Sequence, residues 1–222
     1  MKQKILIFGI KDTAQLAKFY LENDPAYADK YEVVGFVVSE QFRTQDIFEN
    51  LPVHSFETIT TVYTPAQVKF FAPMTGVKMN KIREAVYYQI KNLGYKMISY
   101  VSSKATVLTT QIGENCFILE DNTIQPFVEI GDNVVLWSGN HIGHHSKIED
   151  HVFFTSHVVL SGHCHVKHHS WFGVNATVRD AVTIGESSLI AMGSLITRDT
   201  DDFGFYMGIP AKKQSKSSVD TY

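Results

Sequence analysis

The 222-residue chain predicts two parts: a small parallel α/β domain, then a parallel β-helix of six-residue repeats. Three observations carry this. Residues 1–103 alternate short apolar runs with helical periods, the pattern of a parallel sheet covered by helices. From Gln111 the period becomes six and holds for 15 hexads, without insertion, to Thr200. Five of the ten histidines, His145, His151, His157, His163 and His169, recur at that same spacing.

In the first part, KILIFGI is a short apolar run suited to a buried strand. DTAQLAKFYLEND follows with Leu16, Ala17, Phe19, Tyr20 and Leu21 at helical spacing, and Asp12 or Thr13 stands ready to cap it. YEVVGFVVS and VKFFAPM read as two more strands, NKIREAVYYQIKNLGYK as a helix ended by Gly94, and MISYVS as a last strand. Sheets of this kind bind ligands in the loops beyond the carboxyl ends of their strands.

In the second part, position two of every hexad is a large apolar residue, from Ile112 to Ile196, and position six is small or medium. Three hexads close one triangular coil, so residue i stacks on i+18 at about 4.8 Å. The five regular histidines all fall at position five, distributed over three corners. They are expected to face solvent and not to converge within one chain. Cys116 and Cys164 are 48 residues apart, not a multiple of 18, and are expected to be small inward residues on different faces.

Composition sets limits. With 44% hydrophobic and 19% charged residues and a net charge of −3, nothing marks a nucleic-acid surface. No apolar run approaches the roughly 20 residues that span a bilayer. MKQKILIFGIKD is too short and too early in charge for a signal peptide, so a cytoplasmic location is expected.

The segments NKIREAVYYQIKNLGYK, SSKATV, the hexads with GNHIGHHSKI, and the closing MGIPAKK together resemble a known family. It is that of the hexapeptide-repeat sugar acyltransferases, of the sialic-acid O-acetyltransferase and nucleotide-amino-sugar N-acetyltransferase type. The resemblance implies a Rossmann-like nucleotide-sugar domain over 1–103, a left-handed parallel β-helix over 104–212, a polar, loosely ordered tail over 213–222, and a homotrimer. It implies His144 as general base, since HIGHHSKI places a histidine where relatives carry theirs. Relatives often follow the base with Glu or Asp; here His145 stands in that place as a further catalytic candidate, leaving Asn140, Asp150 or a residue of the neighbouring subunit to orient the base. A neutral imidazole, with a pKa near about 6.5, can take the proton of a sugar ammonium before the amine attacks a thioester.

The same resemblance places acetyl-CoA along Gly162, Gly173, Val174, Ala191 and Gly193, with Lys212 and Lys213 near its phosphates. It offers Gly9, Lys11, Ser39, Thr75, Gly76, Asn80 and Arg83 for the nucleotide-linked sugar. Only Gly9 survives of a glycine-rich dinucleotide turn, so NAD chemistry is not expected. The implied activity is N-acetylation of a UDP- or dTDP-linked amino-deoxy sugar, with sialic-acid O-acetylation the near alternative and no metal. Two other classes stay open. A zinc hydratase of the γ-carbonic-anhydrase kind would use His163 and His168, but Phe127 stands where its third ligand belongs. A non-catalytic trimeric scaffold is the other.

Overall fold

In a computed structural model, which describes residues 2–222, the N-terminal domain is a five-stranded sheet. Its elements are β1 (Gln3–Phe8), α1 (Asp12–Asn23), α2 (Pro25–Ala28), β2 (Tyr31–Val38), β3 (Ile47–Phe48), β4 (Leu51–Ser55), α3 (Ile59–Val62), β5 (Val68–Phe71) and α4 (Lys81–Asn92). The order is β3-β4-β2-β1-β5, parallel except for the β3–β4 hairpin. The chain leaves β1 towards β2 and returns to its other side at β5. The switch point therefore lies between the carboxyl ends of β1 and β5. The sequence signal missed β4, because Pro52 and His54 break the apolar run of LPVHS. MISYVS is also not one strand of this sheet. Met97 makes a single bridge to Phe70, and Tyr100–Val101 is already the first rung of the helix, paired with Phe117–Ile118.

Each hexad then contributes a two-residue strand paired in parallel with the hexad 18 residues on, as at Phe117↔Val135, His141↔Val159 and Lys147↔His165. Three faces result. The docking face carries Tyr100, Phe117, Val135, Phe153, Trp171 and Leu189; the second face runs from Thr106 to Ile196; the third carries Glu129, Lys147, His165 and Thr183. Position-two residues fill the interior: Ile118, Leu136, Phe154, Phe172 and Ile190 are fully buried. Each such side chain contributes about 1.5–3 kcal/mol by leaving water.

The corners explain the histidine spacing. Every position-five residue from Asn115 to Gly193 has a positive φ, 50° to 80°, and only Gly139 and Gly193 are glycines. Asn, Asp and His enter this left-handed region more readily than other side chains. Histidine thus recurs because the backbone at that position tolerates it.

The N-terminal domain sits on the docking face. Phe117, Leu119, Val135 and Phe153 join Ile5, Ile7, Phe36 and Phe71 in one apolar cluster. Tyr20 donates to Glu120 at one edge (2.9 Å), and α4 covers the corner at the other. The expected loose tail is instead ordered. Residues Ala211–Ser217 form a strand antiparallel to Gly204–Gly208, and Tyr222 packs on Trp171 at 4.7 Å between ring centroids. Its polar side chains hid this, because the strand is held by backbone pairing. The cysteines are both buried and unpaired with each other. No helix among the described residues is long and apolar enough to cross a membrane.

Candidate active site

The three corners differ in what covers them. The near corner, between the third and docking faces, holds Asn115, Asn133, His151, His169 and Ser187 under α4. The second corner, between the docking and second faces, holds Asp121, Gly139, His157, Asn175 and Gly193. The far corner, between the second and third faces, holds Phe127, His145, His163 and Ala181, with His144 immediately before His145.

His144 and His145 are exposed at the far corner, outside the surface their own N-terminal domain covers. The His144 backbone N–H donates to Gln125 Oε1 (2.9 Å), and the Nδ1 atoms of His144 and His145 lie 3.1 Å apart. His163 stacks on His145 at 4.9 Å and meets the His144 ring edge-on at 5.0 Å. Phe127 backs His145 from the coil before, at 4.6 Å. The ladder histidines keep to their three corners with His145 stacked on His163, as the 18-residue register predicts, and His144, from outside the ladder, adds a third imidazole to that pair. Of these neighbours only Gln125 carries no signal in the sequence, whereas counting 18 residues either way from His145 finds both rings that flank it, Phe127 and His163. Gly162 lies beside the same imidazole: a Cβ there would approach His144 Cε1 to 2.9 Å, so only glycine leaves this ring its space.

Asn140, expected as a partner of the base, turns inward instead. It is 1% exposed, its Nδ2 donates to the Trp137 carbonyl, and its Oδ1 accepts from Val158 N at 2.7 Å. It braces a corner and cannot orient His144.

The near corner carries the buried counterpart. His151 and His169 are each 3% exposed, so the solvent-facing expectation fails for both. Their rings stack at 5.0 Å. Asn115 Nδ2 donates to Asn133 Oδ1 (2.8 Å), and Asn133 Nδ2 meets His151 Nδ1 (2.9 Å). Glu84 of α4 sits 3.1 Å from His169 Nε2, with Lys81 at 3.2 Å. Burial pushes His151 down to about 3 and His169 to about 4.

Two expected phosphate binders belong to this clamp and are corrected with it. Arg83 is 1% exposed and donates to the backbone carbonyls of Asn133 (2.6 Å) and His151 (2.8 Å). Burial pushes its guanidinium down to about 9. Asn80 is fully buried and donates to the His169 carbonyl at 2.8 Å. Neither is available to a phosphate in this arrangement. Gly76 is a packing glycine, since a Cβ there would stand 2.7 Å from Trp171 Cδ1. Beside the clamp lies a cleft of about 700 Å³ lined by Lys81, Glu84, Lys147, His151 and His168. Its charges largely face one another, as in Lys81–Glu84 and His168–Glu149, and of the residues expected to act in acyl transfer it holds only Asp150, whose carboxylate accepts from the Asp132 N–H at 2.7 Å.

The remaining expected residues fall into two groups. Gly9, Lys11, Ser39 and Thr75 stand at the carboxyl ends of β1, β2 and β5, with Gly9 at φ 114° opening the turn into α1. Lys11 and Thr75 are exposed. Gly173 and Ala191 lie on the docking face; Val174 and Gly193 lie at the second corner. A Cβ on Gly173 would press to 2.4 Å of the Met192 nitrogen, whereas one on Gly193 meets nothing within 4 Å. Lys212 is exposed on the C-terminal strand, while Lys213 pairs with Asp201 at 2.9 Å.

The geometry defines a class: a β-helix with an α/β domain on one face and an exposed imidazole on the corner opposite. Residues 109–144 match the bacterial transferase hexapeptide family model, described as six repeats. Over the whole molecule, the chain is similar to the acetyltransferase domain of PglB from Neisseria gonorrhoeae, at 21% identity and a TM-score of 0.81. That match covers 96% of this chain and 100% of that one, and a second structure of the domain is in complex with acetyl coenzyme A. It is similar to a variant of perosamine N-acetyltransferase from Caulobacter crescentus in complex with CoA and GDP-perosamine, at 18% identity, TM-score 0.82, covering 96% and 97%. WeeI from Acinetobacter baumannii matches at 16% identity, TM-score 0.81, covering 96% and 100%. The chain thus carries the bacterial transferase hexapeptide repeat and shares its two-domain, left-handed β-helix fold with these proteins.

Proposed function

We propose that this protein transfers an acetyl group from acetyl-CoA to the amine of a nucleotide-linked amino-deoxy sugar, with His144 as general base. The carrying observation is an exposed imidazole beside Gly162 on a corner that its own N-terminal domain leaves uncovered. The shared fold with a perosamine N-acetyltransferase bound to CoA and GDP-perosamine supports the substrate class. Nucleotide-linked amino sugars are the acceptors to test, whether on GDP, UDP or dTDP.

In the reaction, His144 takes a proton from the sugar ammonium, and the freed amine attacks the thioester carbonyl carbon. A C–N bond forms, the adduct's nitrogen gives its second proton to solvent, the adduct collapses with cleavage of the C–S bond, and CoA leaves as the thiol after taking the proton held by His144. Backbone N–H groups of the coil are the donors available for the oxyanion. His145, 3.1 Å away Nδ1 to Nδ1, is the group that orients the base where relatives use a carboxylate. The sugar held at the carboxyl ends of β1, β2 and β5 in one chain lies apart from His144 of that chain. A homotrimer resolves this, with the far corner of one subunit facing the second corner of the next. Gly162 would then stand opposite Val174 and Gly193, forming one groove for the pantetheine.

The test is thiol release from acetyl-CoA with GDP-, UDP- and dTDP-linked amino sugars and free sialic acids, for wild type and His144→Ala. Turnover with an amino sugar, lost in the variant, is expected. Turnover only with sialic acid moves the acceptor to oxygen, and full activity in His144→Ala removes the base.

A further inference from the structure

Among the described residues, three clusters bring the ligand atoms of three metal-ligating side chains within 4.8 Å of one another: Glu84–His151–His169, His168–His169–Glu186 and His144–His145–His163. The first two are already committed. Lys81 Nζ stands 3.2 Å from His169 Nε2, where a cation would have to sit. The Asn115–Asn133–His151 chain delivers a donor to His151 Nδ1, which leaves the proton on Nε2, the nitrogen facing Glu84. His168 has both ring nitrogens on carboxylates, Nδ1 on Glu149 at 3.0 Å and Nε2 on Glu186 at 3.2 Å.

The far-corner cluster is unlike these. His144 and His145 face each other through Nδ1, and neither a lysine nor a carboxylate joins the set. Two imidazoles 3.1 Å apart cannot both present a lone pair to the other with profit. One must donate, or a shared cation must stand between them. Zinc binds imidazole at about 2.0–2.1 Å, so two tetrahedral nitrogen ligands lie roughly 3.3 Å apart. The observed separation is close to that value.

The ligands are also held in advance. His145 and His163 occupy corners fixed at φ 57° and 58°, the His163 N–H donates to the His144 carbonyl at 2.9 Å, and their rings stack nearly parallel, 13° between planes. Little side-chain freedom is left to lose on binding. Exposure leaves the fourth tetrahedral position to water.

We propose that His144, His145 and His163 form a three-histidine site for a borderline divalent transition cation, Zn²⁺ above all. Three imidazoles without oxygen ligands suit Zn²⁺, Cu²⁺ and Ni²⁺ and disfavour Mg²⁺ and Ca²⁺. Occupancy of this site takes the lone pair that His144 needs to accept a proton, so the cation switches off acetyl transfer reversibly; this consequence rests on the function proposed above. The binding itself does not.

The experiment titrates the full-length protein with Zn²⁺ against a chromophoric chelator. Wild type is expected to bind one Zn²⁺ per chain. His163→Asn and His145→Asn, which keep a side chain suited to the left-handed corner, are each expected to weaken it more than about tenfold, since even changes behind a metal ligand cost ten- to a hundredfold. His168→Gln is expected to bind as wild type. Unchanged Zn²⁺ affinity in both far-corner variants, or loss of binding in His168→Gln alone, would overturn the site. Product formation measured with and without Zn²⁺ then separates the two claims. Inhibition of wild type, relieved by chelator and half-maximal at the free Zn²⁺ concentration that half-fills the site, supports the switch, and turnover indifferent to a bound Zn²⁺ overturns it. A protein that binds Zn²⁺ at the far corner but acetylates nothing would instead contradict the function and leave the site standing.

Discussion

The near and far corners of the coil start from the same material. Both place histidines at hexad position five, both hold them in the left-handed region, and both stack a pair of imidazoles at about 5 Å, 4.9 Å for His145–His163 and 5.0 Å for His151–His169. They differ in their neighbours along the ladder, Asn115 and Asn133 at one and Phe127 and Ala181 at the other, and above all in what lies on top. At the near corner α4 brings Arg83, Glu84 and Lys81, excludes water, and turns the imidazoles into neutral packing groups. At the far corner they stand exposed, with none of the described residues of the same chain over them. A repeat therefore sets where a side chain stands, and the neighbouring domain decides whether that position is structural or chemical.

The comparison breaks most sharply at His144. His144→Ala is expected to lower the rate of acetyl transfer by about 10²–10⁴-fold, the usual worth of a positioned acid–base group, with the melting temperature little changed. The exposed position predicts that split, which kinetics and thermal denaturation measured together will show.

The near corner predicts the opposite split. Arg83→Ala strips the donors from carbonyls of Asn133 and His151 and leaves a void between the domains. Two buried carbonyls left without donors, together with the void, cost about 3–5 kcal/mol. For a chain of this size that corresponds to a melting temperature lower by roughly 6–20 °C if unfolding is two-state. Arg83→Lys should recover little, because a single ammonium cannot reach both carbonyls in the fork geometry.

Acid should separate the corners as well. His151 and His169 have folded pKa values of about 3 and 4, below the unfolded value of about 6.5. The unfolded chain thus binds more protons through this window, so their neutral burial favours folding fully above pH ~6.5 and progressively less as pH falls towards 4 and then 3. Burial opposes ionisation of Glu84, yet His169 and Lys81 hold its carboxyl below the usual range, which adds a loss at lower pH still. Melting temperatures from pH 7.5 to 4.5 should fall steadily. The slope between pH 6.5 and 4.5 should flatten in His151→Asn.

The smallest effect belongs to the second corner. His157 is exposed at φ 59°. His157→Gly removes the left-handed strain and should stabilise by a few tenths to about 1 kcal/mol, whereas His157→Val should destabilise by about 1–2 kcal/mol. Denaturant midpoints resolve both.

Much of this was legible in the sequence. The hexads fixed the coil, its three faces and the i+18 stacking that pairs His145 with His163, because steric demands at positions two and six repeat without exception. His144 stood out because it sits at position four, outside the ladder. What the sequence hid lies between the domains. Asn80, Arg83 and Gly76 occupy a loop and helix start that look suited to phosphate, and only the docking of α4 on the near corner makes them a clamp. Asn140 likewise looks like a partner for the base until its inward turn is seen. The C-terminal strand escaped notice because backbone pairing leaves no periodic apolar signature.

The strict 18-residue turn has one more consequence. Tyr100–Val101 on the docking face is the first rung, and His144 lies far enough along that its bearing around the axis depends on how many hexads intervene. Removing one hexad between Phe117 and Asn140 would swing every later corner by a third of a revolution and bring His144 to the second corner. Removing three would shorten the molecule by a full coil yet restore its heading. Insertions and deletions in this protein are therefore counted modulo three hexads, like teeth on a gear.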